Sequence, residues 1–505
     1  MLQTCIDVNW VSLRNHSCDK MQRIIDVIYF LLLALFLLAC KSGETERVGE
    51  SRAPNVLFLT VDDMNGWNTR NEYPAVQMPH FDRLKVEAYN FTNAICPAPV
   101  CVPSRAAFFS GIAPHKTGAY YNGCDPWRRS ELLRKAETIP ECFKRNGYET
   151  FGRGKIFHAK LEAWREEAMF DNRPIYKGGF GPFGEETDWV GGKGKFQSVT
   201  AWDGPDSDFP DVKNADATIQ FLQQSHEKPF FCYLGLWRPH TPYTAPKRFF
   251  DLYEEQEVTY PKGWKEGDAD DIPPMGQDLI DSLHFFGVDM AERRETFKRM
   301  IYGYLATMSF ADWSIGRVLE ALDKSPYADN TIVIVASDNG YHMGEKEKWQ
   351  KGTLWELSAY SPLLIRLPSG QAMELSHTVS LMDIYPTLIE YCQLDGPEHE
   401  LDGKSLLSLL DDPTEKRQPS FMTFGEEYSS VYDGQYRYIR YPDGTEELYD
   451  HQLDPHEWNN IEKEANRAIM DRLATSIPEK FQEILGGRTE AAQKVRGLPN
   501  KVGGT

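Results

Sequence analysis

Four short apolar runs constrain the fold more than any other feature of this chain. Asn55–Val61 (NVLFLTV), Pro229–Leu236 (PFFCYLGL), Thr331–Ala336 (TIVIVA) and Pro362–Leu367 (PLLIRL) have strand length and almost no polar interruption. A strand with one wet face alternates polar and apolar residues, so continuous apolar runs predict strands covered on both faces. Segments of helical period lie between them. In Tyr302–Leu322, Leu305, Met308, Ile315, Leu319 and Leu322 follow helical spacing, and Asp323-Lys324-Ser325-Pro326 closes the run. Buried strands alternating with helices predict an α/β fold, with a large, mostly parallel central sheet flanked by helices. The pattern changes near residue 415. Val431–Arg440 and Glu446–Tyr449 flank Pro442-Asp443-Gly444, a hairpin signal, and a helix is predicted over Ile461–Leu485. The expected organisation is a main α/β domain, 53–414, and a smaller antiparallel α+β subdomain, 415–505.

With 505 residues, 41% of them apolar, the chain can bury a substantial core. Its 55 basic and 75 acidic residues give a net charge of −20. That excludes nucleic-acid binding through global basicity and argues against a polybasic membrane surface. An anionic small substrate stays open, because screening lets a few local cations outweigh distant acidic charge. Nine cysteines are too few for a disulfide scaffold. From Met21 the chain reads MQRIIDVIYFLLLALFLLAC, and its apolar stretch, Val27 to Ala39, is shorter than the roughly 18–20 residues that span a bilayer. It fits the core of a signal peptide. Leu37-Leu38-Ala39-Cys40 resembles a bacterial lipobox, in which Cys40 carries lipid and becomes the mature N-terminus. The reading is a leader over 1–40, a polar tether over 41–52, and a cell-envelope lipoprotein of the periplasm or outer membrane. A plain anchor helix or a cleaved signal is the alternative.

In an open α/β sheet, ligands bind beyond the carboxyl ends of the strands. Two of the buried runs end there in oxygen ligands, Asp62-Asp63 and Ser337-Asp338-Asn339-Gly340. Singly, each would pass as a turn or helix cap. Two in one sheet point to a shared divalent cation, since adjacent carboxylates repel unless neutralised and hard oxygens suit Ca²⁺ or Mg²⁺. His342, three residues beyond Asn339, reads as a loop histidine and not a ligand. The third feature is Cys101-Val102-Pro103-Ser104-Arg105, leading into an apolar segment. On general grounds a lone cysteine is more often packing than catalysis.

Cys-X-Pro-Ser-Arg is nevertheless the signature of the type I sulfatases, whose cysteine a maturation enzyme oxidises to formylglycine, and this chain resembles that family from about Pro54 to Asn460. Gly154-Lys155-Ile156-Phe157-His158 resembles the family's Gly-Lys-…-His element, Arg238-Pro239-His240-Thr241-Pro242 its second histidine, and Lys348-Trp349-Gln350-Lys351 its distal lysine. The nearest branch holds the iduronate and choline sulfatases. The resemblance implies an alkaline-phosphatase-like fold and one divalent cation, normally Ca²⁺, held by Asp62, Asp63, Asp338, Asn339 and the modified Cys101. Some relatives have histidine at the Asn339 position; an amide oxygen suits a hard cation equally.

The implied chemistry accounts for each residue type. A sulfate ester repels nucleophiles, so cations must surround it: the metal, Lys155, Lys351 and Arg105. One oxygen of the hydrated aldehyde at position 101 would attack sulfur, with Arg105 holding the hydrate. His240, with Lys351 as a second candidate, would protonate the departing alcohol. His158 would take the proton from the remaining hydroxyl, expelling sulfate and re-forming the aldehyde. The expected substrate is a sulfated carbohydrate, an ulvan-type algal glycan or a glycosaminoglycan. The alternatives are choline sulfate as a smaller substrate, a phosphatase or phosphonate hydrolase on the same scaffold, and a lipoprotein that only binds glycans. Two-zinc phosphatases want more histidine ligands and a Ser or Thr nucleophile, and a binding protein would have no need of Cys101, Lys155 and His240. Tyr120-Tyr121, Trp127-Arg128-Arg129, Trp202 and Trp237-Arg238 could line a carbohydrate site through aromatic stacking on sugars, although each taken alone is more often packing. An oxidising envelope permits one or two disulfides among Cys96, Cys124, Cys142, Cys232 and Cys392, with Cys232 most simply core.

Overall fold

A computed structural model describes residues 53–171, 178–190, 195–281 and 290–486. The leader, its lipobox and the tether lie outside these residues. The apolar runs form the centre of a seven-stranded sheet: β1 (Asn55–Asp62), β2 (Tyr89–Ile95), β3 (Glu149–Gly154), β4 (Phe230–Pro239), β5 (Thr331–Ser337), β6 (Leu363–Arg366) and β7 (Met373–Ser380), in the order β7-β2-β6-β5-β1-β4-β3. Every pairing is parallel except those of β6, which runs antiparallel to both β5 and β2. β1 lies between β5 and β4, in register from Asn55 opposite Thr331 to Val61 opposite Ser337.

Both faces of the central strands are dry because successive side chains enter different cores. Val56, Phe58, Ile332 and Ile334 face one core; Leu57, Leu59, Val61, Val333 and Val335 face the other. Each such side chain contributes about 1.5–3 kcal/mol by leaving water. The second core is closed by a 34-residue helix, Met290–Asp323, which supplies Leu305, Met308 and Ile315. It starts earlier than the expected Tyr302, because Phe297, Met300 and Ile301 continue its buried face.

A four-stranded antiparallel sheet follows: β8 (Ser420–Thr423), β9 (Ser429–Tyr432), β10 (Tyr436–Arg440) and β11 (Glu446–Asp450). Val431–Arg440 is therefore not one strand. Asp433 Oδ1 accepts the amides of Gln435 (2.9 Å) and Tyr436 (2.7 Å), making a turn inside it. Met422, Ile439 and Tyr449 of this sheet join the core under the large sheet, and the described residues from Ala53 onward belong to one compact unit. The helix expected over Ile461–Leu485 is only Arg467–Ala474. Pro478 has no amide hydrogen and disfavours a helical residue before it. Beyond it the described chain forms no helix and docks on the main domain, the Gln482 amide donating to His115 O (2.7 Å) and that of Leu485 to Gly118 O (3.0 Å). No described helix is long and apolar enough to cross a membrane.

Candidate active site

The carboxyl ends of β1, β3, β4 and β5 converge on one edge of the sheet, and each delivers a predicted residue. β1 ends in Asp62, and Asp63 turns the chain in a left-handed conformation (φ 64°) that aspartate tolerates better than most residues. β5 leads into Asp338 and Asn339, β3 into Lys155, and β4 into His240. Lys155 is brought in by a close backbone crossing: its amide donates to Gly235 O at 2.8 Å, and a Cβ on Gly154 would lie 1.9 Å from that oxygen. Cys101 opens a fully buried helix, Cys101–Ser110, that follows β2. Phe108 and Phe109 of that helix pack against Phe58 of β1, with ring centroids 6.1 and 6.5 Å apart, and so fix its first turn over the ends of the strands.

The Cys101 thiol lies 3.3 Å from Asp62 Oδ1 and 3.8 Å from Asp63 Oδ1. Lys351 Nζ donates to Cys101 Sγ at 2.8 Å and pairs with Asp63 Oδ1, while Lys155 pairs with Asp62 Oδ2. Arg105 sits behind Asp338, with Nε donating to Oδ2 at 2.7 Å and Nη1 to the carbonyls of Lys155 (2.7 Å) and Ile156 (2.8 Å). Its buried Nη2 makes no hydrogen bond. Arg105 is therefore mainly the support of Asp338 and of the Lys155 loop, with one donor left over. His240 holds its ring by Nδ1–H donation to Thr241 O (2.6 Å), which leaves Nε2 3.5 Å from Asp63 Oδ2. His158 lies at the rim with a positive φ of 50° and an unpartnered Nδ1. His342 is elsewhere, fully buried with Nε2 2.9 Å from Thr353 Oγ1, and burial holds it neutral with a pKa of about 3.

Charge balance sets the protonation states. Burial pushes Asp62 up, but Lys155, then His240, outweigh it and hold the carboxyl at about 2. Asp63 is also depressed, Lys351 overcoming burial. Burial and the carboxylates of Asp338 and Asp62 drive the Cys101 thiol well above its ordinary range, so an unmodified cysteine here is a neutral thiol. Burial and then Lys155 push His158 far down; burial lowers His240 against the pull of Asp63. Both imidazoles are neutral at pH 7.

The donor set fits a hard divalent cation. One ligand atom each from Asp62, Asp63, Cys101 and Asp338 all lie within 4.8 Å of one another, and the buried Oδ1 of Asn339 beside them has no hydrogen-bond donor. Asn339 Nδ2 donates to Asp63 Oδ1 at 2.8 Å, which orients both side chains.

Comparison with known proteins agrees with this geometry. The Sulfatase family profile matches residues 54–394, and a profile described as N-sulphoglucosamine sulphohydrolase, C-terminal, matches 344–483. The chain belongs to the sulfatase family. It is a sulfuric ester hydrolase of the alkaline-phosphatase-like superfamily. A "Sulfatase" from Formosa agariphila is 37% identical over 489 residues, 89% of this chain and 92% of its own. An "Ulvan-active sulfatase" from the same organism is 27% identical over 485 residues, 90% and 86% of the two chains. A solved structure in complex with its substrate D-glucosamine-2-N,6-O-disulfate superposes with a TM-score of 0.64 at 20% identity, covering 84% and 96%.

The sulfatase site includes residues that sequence reasoning missed. Tyr304 OH donates to Asp63 O (2.8 Å) and accepts the Asn65 amide (3.0 Å), bracing the αL turn. Ser104 Oγ donates to Asp338 O (2.5 Å), and Tyr233 OH accepts from Arg105 Nη1 (3.1 Å). Ser104 was visible inside the cysteine motif; Tyr304 and Tyr233 sit in apolar runs and gave no signal. Two readings that the sequence left open are decided. Tyr120, Tyr121 and Trp127 are buried, and the two tyrosine hydroxyls donate to Gln482 O (2.9 Å) and Leu485 O (2.8 Å), so they anchor the C-terminal segment and cannot line a sugar site. The six described cysteines are all free and buried, Cys232 among the core residues, so they form no disulfide.

Proposed function

We propose that this sulfatase hydrolyses sulfate esters of a sulfated carbohydrate and that Cys101 is its nucleophile after conversion to formylglycine by a maturation enzyme. The observation that carries the reading is the position of Cys101, between two carboxylates and Lys351 Nζ at the end of the sheet. A thiol held neutral there is a poor nucleophile. The hydrated aldehyde would supply two hydroxyls, one to attack sulfur and one to let sulfate leave. A Ca²⁺ ion on Asp62, Asp63, Asp338, Asn339 and residue 101 would polarise the sulfate and favour the deprotonated hydroxyl.

The chain's own residues do the rest. Lys155 and Lys351 offset the charge of the sulfate oxygens from two sides. Arg105 fixes Asp338 and keeps one buried donor, Nη2, without a hydrogen-bond partner. His240 Nε2, 3.5 Å from Asp63 Oδ2, gives a proton to the departing sugar oxygen from the minor fraction of the ring that is protonated on both nitrogens. His158, held neutral, accepts a proton from the hydroxyl left at position 101. An ulvan-active relative at 27% identity supports a polysaccharide-derived substrate, while a choline sulfatase from Rhizobium meliloti at 28% identity keeps choline sulfate as the second reading. A lipid on Cys40 would hold the enzyme at the cell envelope, where such glycans arrive.

The test is a panel of defined sulfated oligosaccharides, choline sulfate and a phosphonate monoester, read by sulfate or alcohol release and product mass. Sulfate release from sugars at rates far above choline sulfate is expected. Faster turnover of the phosphonate monoester would replace this reading with the phosphonate hydrolase.

A further inference from the structure

An aromatic wall runs outward from the catalytic residues and ends in a lysine. It starts at Trp237, whose ring lies 5.4 Å from Lys155 Nζ and 6.0 Å from His158. Phe180 continues it, 4.6 Å from Trp237 and 4.5 Å from His240 between ring centroids. Phe196 follows at 5.7 Å, then Phe183 at 5.3 Å from Phe196. Lys195 Nζ sits 4.4 Å above the Phe183 ring and 5.7 Å from Phe196. Phe196 is 46% exposed and Lys195 is exposed, and among the described residues no carboxylate pairs with this lysine.

The wall is anchored at both ends. Buried Arg238 donates from Nη2 to Phe180 O (2.7 Å) and from Nε to Thr244 O (2.8 Å). Val199–Trp202 pairs in parallel with Tyr243–Pro246, and the Tyr243 amide donates to Ser198 O (2.9 Å). That ladder sets Lys195–Ser198 beside the segment that carries His240. Trp237 is buried, Phe180 and Phe183 are half-buried and Phe196 is exposed, so the wall offers partly open ring surface beside a polar reaction centre, which suits a ligand with its own apolar faces. Sugar rings have them in their C–H surfaces. The cation–π contacts hold the ammonium in place without consuming its charge, so it remains available to an anion.

We propose that Phe180, Phe183 and Phe196 form the subsite for the sugar adjoining the sulfated one, and that Lys195 binds an anionic substituent on that neighbouring sugar, a carboxylate or a second sulfate. The proposal rests on the carbohydrate reading above and narrows it to polyanionic glycans. A chain of net charge −20 repels such glycans at long range, but beyond about 8 Å that repulsion is screened at physiological salt, and the local lysine decides.

Lys195→Ala, Lys195→Arg and Phe196→Ala are compared with wild type on four substrates: an aryl sulfate, and three disaccharides sulfated at the same position whose neighbouring sugar is neutral, a uronate or itself sulfated. Lys195→Ala should raise KM about five- to ten-fold for one or both anionic-neighbour disaccharides, the size of one lost charged contact. The neutral disaccharide and aryl sulfate should stay within about two-fold, and Lys195→Arg should recover most of the loss. Whichever anionic disaccharide responds identifies the substituent. Phe196→Ala should weaken all three disaccharides and spare the aryl sulfate. Calorimetric binding of the same disaccharides to Cys101→Ala protein, with and without Lys195→Ala, reads the subsite without turnover, so it stands apart from failure of the sulfatase chemistry. An equal effect of Lys195→Ala on neutral and anionic ligands, no effect at all, or no disaccharide binding to Cys101→Ala protein overturns the proposal.

Discussion

Lys351 Nζ stands 2.8 Å from Cys101 Sγ and at the same time pairs with Asp63, so one ammonium ties the nucleophile position to the metal carboxylates. Burial would lower this lysine's pKa, but Asp63 and then Cys101 hold it well above its ordinary value, so it stays charged through the catalytic pH range. Lys351→Ala should therefore lower kcat on every sulfate ester, whatever the leaving group, by about 10²–10³-fold, the scale of one lost electrostatic contact to the transition state. Steady-state kinetics on an aryl sulfate and a sulfated sugar check this. A loss confined to KM would remove Lys351 from the reacting centre.

Position 101 gives the second prediction. Peptide mass spectrometry of active enzyme should show formylglycine there. Cys101→Ala should cost about 10⁴-fold or more in turnover, as loss of a covalent nucleophile does. The fold should survive, because the thiol contributes little to a helix held by Phe108 and Phe109. Fully active protein carrying only the thiol at this position would sink the mechanism.

The cation gives the third. Metal analysis should find one Ca²⁺ per chain, and Asp338→Ala should lose metal and activity together. Because the ion binds the folded state, excess Ca²⁺ should raise the unfolding temperature of chelated enzyme, by about 2.7 kcal/mol in stability at 100 times Kd. Two zinc ions per chain would contradict the assignment.

Much of this site was legible before any coordinates because its residues terminate strands whose apolar runs are unmistakable: Asp62 after NVLFLTV and Asp338 after TIVIVAS. The local motif around Cys101 did the same. What escaped was either long-range or hidden in apolar context. Phe180 contacts His240 across 60 positions of sequence, and nothing in Gly178-Gly179-Phe180 marks it. Arg105 was read as a substrate cation, yet its donors go largely to Asp338 and backbone carbonyls, a pairing fixed only by how helix and strands meet. The short C-terminal helix shows the reverse error, helical composition overruled by Pro478 and by docking on Tyr120 and Tyr121.

A buried ion network gives the fourth prediction. Glu356 is bound by Arg70 Nη2 (2.5 Å) and by Arg437, whose Nε also reaches Glu457 (2.8 Å). It joins the loop after β1 to β10 of the C-terminal sheet. Burial raises the Glu356 pKa, but Arg70 and then Arg437 overcome it and hold the carboxyl well below its ordinary value. A depressed acid stabilises the fold above its unfolded pKa, about 4.3, and that stability is lost as pH falls toward the folded value. Glu356→Gln should cost about 3–5 kcal/mol at pH 7, since it leaves two buried guanidinium groups short of charge. Below about pH 4 the gap to wild type should narrow. Denaturant titrations at pH 7 and pH 3.5 measure both, and a gap independent of pH would show that the loss is packing alone.

The two histidines give the last prediction, and their environments differ enough to separate them. His240 donates through Nδ1 to Thr241 O, so Nε2 is the atom available to the leaving group, and its ring lies 4.5 Å from Phe180 of the aromatic wall between centroids. His158 faces the Lys155 side and is pushed further down by burial and Lys155. A histidine whose pKa lies well below its ordinary value can accept a proton but rarely gives one, which suits expulsion of sulfate. His240, lowered less because Asp63 opposes burial, keeps some capacity to donate. Protonated His240 is the active form, so turnover of sugar sulfates should fall as pH rises through a value below the ordinary 6.5. An aryl sulfate leaves without help and should show little of that alkaline limb. His240→Ala should then cost sugar sulfates about 10²–10⁴-fold and aryl sulfates far less. His158→Ala should slow both alike and give a burst of aryl alcohol followed by a slow steady rate, because the sulfated enzyme accumulates. Stopped-flow kinetics of the two variants on both substrates decide the matter: a burst in His240→Ala and none in His158→Ala exchanges the two roles.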